Sequence, residues 1–128
     1  METRKMMAAE KKASGKYNCA QAVLCTYSDL TGIDEETSRN LCNSFAAGMG
    51  NMEGTCGALV GAGIALGMIT RDKAKSMKGM SMREMMANFQ ARNHATQCKV
   101  LKGVETKQVL RECPMCVADA CEFLEKLL

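Results

Sequence analysis

The sequence predicts an all-α fold, a compact single-domain helical bundle in which a Gly-rich loop leads into a central helix of small residues. Three observations carry that expectation. The 128 residues include a single proline, so few positions interrupt a helix. Apolar residues recur three and four apart over most of the chain, and no stretch alternates with period two long enough to form a strand. Hydrophobic residues make up 47% of the chain, enough at this length for one core and one domain over residues 1–128.

The elements follow in order. Lys5 to Ser14 reads as a polar helix ending near Gly15. Asn18 suits the N-cap of the next, with Gln21 three residues on returning to its backbone. Ala20, Val23, Leu24, Tyr27 and Leu30 make the buried stripe of that helix, and Gly32 stops it. Asp34 opens a third helix that turns Leu41, Cys42 and Phe45 inward and ends at Gly48. Gly48 to Gly54 forms the glycine loop, after which Thr55 is the predicted cap of a helix from Cys56 to Ile69. There Gly57, Gly61 and Ala65 lie four apart, as do Gly63 and Gly67, so both sets leave flat faces against which helices pack closely. A longer charged helix runs from about Asp72 to Asn93, broken at Gly79, with Met82, Met85, Met86 and Phe89 on one face. Thr96 to Leu101 is a short helix closed by Gly103, and Glu105 to Leu128 reads as helical on both sides of Pro114.

Composition removes several function classes. The net charge of +3 comes from 17 basic residues spread among 14 acidic ones, and five aromatics (two Tyr, three Phe) offer no stacking platform, so nucleic acid is not an expected partner. Met1-Glu2-Thr3-Arg4-Lys5 has no apolar run behind it, and the longest apolar stretch, Cys56 to Ile69, is too short to span a bilayer. A cytoplasmic protein without membrane insertion is expected. The glycines match neither a dinucleotide fingerprint nor a phosphate loop, and no Ser, His and acid grouping suggests hydrolysis.

Eight cysteines in a reducing compartment point to metal binding, redox cycling or burial rather than to a disulfide framework. Their predicted positions divide them. Cys19 follows the cap Asn18, Cys56 follows Thr55, Cys98 follows Thr96 by two residues, and Cys113 precedes Pro114, a residue favoured at a first helical position. A helix start stabilises a thiolate through free N–H groups and the macrodipole, which suits metal ligation or redox reactivity. Cys56, flanked by Gly54 and Gly57, is accordingly expected to ionise below the roughly 8.5 of a free cysteine. Cys42 and Cys121 instead fall in apolar stripes and read as small buried hydrophobes, and Cys25 lies off its helix's stripe without an assignment.

Asn18-Cys19-Ala20-Gln21-Ala22-Val23, the glycine loop into Cys56-Gly57-Ala58-Leu59-Val60-Gly61, Cys98 with Leu101 and Gly103, and Cys113 with Val117 and Ala120 together form a pattern. Over about Tyr17 to Leu128 the chain resembles a bacterial redox-active family named for four cysteines and a C-G-A-x-x-G motif (C_GCAxxG_C_C). The resemblance implies that Cys19, Cys56, Cys98 and Cys113, the same four found at predicted helix starts, hold a prosthetic group such as an iron–sulfur cluster. It also implies an oxidoreductase or other redox partner, and it brings no defined reaction. Cys116 is extra to the pattern, which leaves open whether it or Cys113 is the C-terminal ligand.

The chemistry of the four thiols is consistent with this. Soft thiolates select zinc, copper(I) or iron–sulfur clusters, and four complete a tetrahedral metal site or a two-iron or four-iron cluster. The expected function is therefore a redox-active or electron-transfer protein with an iron–sulfur cluster or other metal at Cys19, Cys56, Cys98 and Cys113, zinc or no metal being the alternatives. A second reading rests on Cys113-Pro114-Met115-Cys116, a C-x-x-C at a helix start, as the pair of a thiol–disulfide protein. A third is a non-enzymatic module, zinc-binding or purely structural, in which His94 and Cys98 join Cys113 and Cys116. Homo-oligomerisation is compatible with each. Met77, Met80, Met82, Met85 and Met86 could bind copper(I), but three of them share a face with Phe89, which favours packing.

Overall fold

Helix boundaries obey local chemistry wherever a capping side chain is free to act. In the computed structural model, which describes residues 1–72 and 78–128, helix α1 (Lys5–Ala13) buries Ala8 and Ala9 and is followed by Gly15 at φ +78°. Helix α2 (Cys19–Thr26) starts in the expected capping box: Gln21 N donates to Asn18 Oδ1 at 2.8 Å and Asn18 N to Gln21 Oε1 at 2.9 Å. The short α3 (Ser28–Thr31) ends at Gly32, whose φ of +77° admits the reversal. Asp34 caps α4 (Glu35–Cys42), accepting from Thr37 N at 3.3 Å, and a 3-10 turn follows at Asn43–Phe45. The remaining helices are α5 (Gly57–Ile69), α6 (Lys78–Asn93), α7 (Cys98–Lys102) and α8 (Cys113–Lys126). No strand occurs among the described residues, and no described helix is long and apolar enough to cross a membrane.

The structure departs from the local expectation at several places. Thr55 does not cap α5: it forms an isolated antiparallel bridge with Gln97, and Cys56 itself becomes the N-cap, without a side-chain bond. Thr96 likewise yields the cap of α7 to Gln97, its carbonyl accepting from Cys56 N at 2.8 Å. Residues 105–112 are not helical. Gly103, at φ +68°, turns the chain so tightly that an added Cβ would lie 2.3 Å from Gln108 O, and Leu110 N folds back onto Leu101 O at 2.9 Å. Leu41 points outward, at 47% exposure, because Cys42 and Ser38 form the buried side of α4. Helix α6 passes through Gly79 unbroken, while Met77 and the helical start expected near Asp72 lie outside the described residues.

The flat face predicted on α5 sets the packing. A Cβ at Gly61 would lie 2.5 Å from Ala20 O, and one at Gly57 would lie 3.0 Å from Phe45 O and 3.4 Å from Cys19 Cβ. Only glycine lets α5 approach α2 this closely. The second set differs: Gly63 meets Met82, and Gly67 faces open space. Leu24, Tyr27, Leu59, Met85, Phe89, Val117 and Leu124 fill the core, with Met82 and Met86 packed against it as their helical spacing requires. Helix α8 lies against α1, α2, α5 and α6, so its first turn comes to the end of the bundle where α2 and α5 begin.

Candidate functional site

Backbone pairing gathers residues remote in sequence at that end. Cys98 N donates to Gly54 O at 3.0 Å and Lys99 N to Met52 O at 2.9 Å, tying the glycine loop to the start of α7. Gly48 makes the contact possible, since a Cβ there would lie 2.3 Å from Cys98 Cβ. Within the loop Ala47, Met49 and Met52 hold φ of 50°, 67° and 65°, a conformation that costs non-glycine residues energy and concentrates at functional sites. The fold-back of Leu110 onto Leu101 then delivers the chain to α8 beside α7.

The result is a cavity of about 150 Å³ whose wall includes Cys19, Cys56, Cys98, Cys113 and Cys116, with Lys12, Lys102 and Arg111. Cys19, Cys98 and Cys113 are the first residues of α2, α7 and α8, and Cys56 is the N-cap of α5. All four signature thiols therefore sit at helix starts, although two of the predicted caps do not act. Cys116 adds a fifth, one turn into α8. Cys25, Cys42 and Cys121 are absent from this wall, as is His94, an exposed residue at φ +67° just after α6.

The thiols interact as two pairs across different helices. Hydrogen bonding from Cys19 and, against the opposing effect of burial, attraction to Lys102 and Lys12 hold Cys113 down at about 5, while Cys19 is pushed far up by the same bond and by burial. Hydrogen bonding from Cys116 lowers Cys56 in the same way, assisted by the backbone N–H groups of Ala58 and Leu59 at the start of α5 and resisted by burial. Cys116 is raised in return, and its Sγ also lies 3.7 Å from Arg111 O. Cys98 is raised by burial, with Lys102 pulling the other way. The downward shift of Cys56 agrees with the sequence, but its largest cause, Cys116, does not come from the helix start. The two members of the C-x-x-C thus each face a partner on another helix.

The basic groups had weaker signals in the sequence. Lys102 stands four residues after Cys98, the spacing of neighbours on one helix face, which could have marked it. Nothing local marked Lys12 or Arg111. Arg111 is fixed by Asp119, its Nε and Nη2 donating at 3.0 and 3.1 Å. Asp119, only 3% exposed, also receives Arg92 and Asn93, so this buried carboxylate is fully compensated.

Residues 17–127 match the family described as "Putative redox-active protein (C_GCAxxG_C_C)". The chain belongs to that family. No curated protein and no solved structure matches it. In this C_GCAxxG_C_C protein the donor chemistry around the cavity suits a soft metal. Among the described residues no three His, Cys, Asp or Glu side chains stand together as ligands of one ion. The cavity gathers five thiols, of which Cys113 and Cys56 are lowered by their neighbours and Cys19, Cys98 and Cys116 are raised.

Proposed function

We propose that this C_GCAxxG_C_C protein is a thiol-based redox protein in which Cys113 and Cys56 act as thiolates and Cys19 and Cys116 as their proton-bearing partners. The supporting observation is that Cys19, Cys56, Cys113 and Cys116, which belong to three helices, line one cavity, where Cys19 lowers Cys113 and Cys116 lowers Cys56. A thiolate attacks a disulfide and a neighbouring thiol resolves the product, so a pair can give up two electrons and leave a disulfide. Cys113, lowered and half-buried, is the entry point because it is the more accessible thiolate; Cys56, only 5% exposed, follows. Electrons then pass to or from a redox partner, an oxidoreductase being the class that fits. Eight free cysteines suit a reducing, cytoplasmic setting.

A second reading keeps an iron–sulfur cluster at Cys19, Cys56, Cys98 and Cys113. The observation favouring it is the concentration of soft donors on one cavity, and a cluster there would supply one-electron transfer. Iron, sulfide and zinc measured on anaerobically purified protein, together with free thiols counted before and after oxidation by a disulfide, separate the two readings. Thiol chemistry predicts substoichiometric metal and the loss of thiols two at a time. Stoichiometric iron and sulfide, lost on substitution of the signature cysteines, would replace it with the cluster.

A further inference from the structure

The cavity wall carries three cations and no carboxylate. Arg111 is compensated by Asp119. Lys12 and Lys102 have no carboxylate partner: the lysines with a carboxylate in ion-pair range among the described residues are Lys5, Lys99 and Lys126. Two half-buried lysines therefore stand beside reactive sulfur, offset in part by the Cys113 thiolate but by no carboxylate on the wall. Such groups attract anions into a cleft and speed their arrival. The space is also small, since pockets for drug-sized ligands run from about 300 Å³ upward and this one is about 150 Å³.

We infer that the cavity admits a low-molecular-weight anionic disulfide, whose carboxylates Lys12 and Lys102 hold while its sulfur meets Cys113. The inference rests on the thiol-based reading and adds a substrate class to it. Cys113 Sγ attacks one sulfur of the disulfide; a Cys113–substrate S–S bond forms, the substrate S–S bond breaks, and the first half departs, taking the proton of Cys19. Cys19 then attacks Cys113 Sγ, the mixed disulfide breaks, and the second half leaves as a thiolate. The substrate gains two electrons, and the Cys19–Cys113 pair loses two. The lysines act on both charges the reaction presents, the substrate carboxylates and the departing thiolate, and a stabilised leaving thiolate leaves faster.

The test compares three small disulfides on the reduced, full-length protein: dianionic dithiodiglycolate, neutral hydroxyethyl disulfide and dicationic cystamine. Replacing both lysines, Lys12→Gln with Lys102→Gln, should slow the dianion about tenfold more than the neutral probe and leave cystamine unchanged or faster, while Lys102→Arg retains the preference. Raising ionic strength should slow the dianion selectively on the unaltered protein, a readout that needs no variant. Equal slowing of all three probes would mean that the lysines only activate Cys113, and would overturn the inference while leaving the thiol-based function standing. Failure of Cys113 to react with any disulfide, or with neutral iodoacetamide, would overturn the function itself.

Discussion

Cys113 and Cys121 lie on the same helix, roughly two turns apart, and their chemistry is opposite. Cys113 opens α8 half-buried on the cavity, where Cys19 and then the lysines hold it at about 5. Cys121 is fully buried against the core, and burial pushes it up to about 12, although bonding with Tyr27 works in the other direction. Cys42, at the end of α4, repeats the second case and is raised to about 11 by burial and then by Cys25. The cavity brings cysteines and lysines from different helices together, whereas in the core burial is the dominant influence on a thiol. Placement on the cavity, not residue type, separates the working thiols from the packing thiols.

The sharpest break in that comparison would come from reactivity. At pH 6 a thiol with pKa about 5 is almost fully ionised, against roughly 0.3% of an ordinary cysteine at about 8.5. Its lower basicity costs nucleophilicity by about fortyfold, so the net advantage is about tenfold over a free thiol. In folded, reduced, metal-free protein, iodoacetamide should therefore label Cys113 first, with a rate that falls as pH drops through about 5. Cys42 and Cys121 should stay unlabelled until the protein unfolds. Mass mapping that found Cys121 labelled as fast as Cys113 would erase the distinction.

Stability sharpens the other side. Cys121→Ser places a hydroxyl in a site with 0% exposure, and should destabilise the fold by about 1–3 kcal/mol in denaturant unfolding, without altering Cys113 labelling. An unchanged midpoint would show that Cys121 is not core.

The sequence made the first group legible because helix starts are written locally: the box at Asn18 and Gln21, Pro114 after Cys113, and the glycines before Cys56. The four-residue spacing of Gly57 and Gly61 likewise announced the close approach of α5 to α2. What stayed hidden depends on contacts between distant segments. Thr55 and Thr96 have good capping chemistry, but the backbone bridge between their segments takes precedence. The stretch before Pro114 has helical composition, yet Gly103 and the bond from Leu110 to Leu101 hold it as a loop. Cys116 looked like the second half of a C-x-x-C, and only the tertiary fold sets it beside Cys56. Lys12, from α1, reaches the cavity the same way.

The most direct test of the paired-thiol account is disulfide mapping after mild oxidation of the reduced, metal-free protein. Peptide mass spectrometry should find Cys19 linked to Cys113 and Cys56 linked to Cys116, each link joining peptides from two helices. A bond between Cys113 and Cys116 alone, or links that recruit Cys42 or Cys121, would contradict the account.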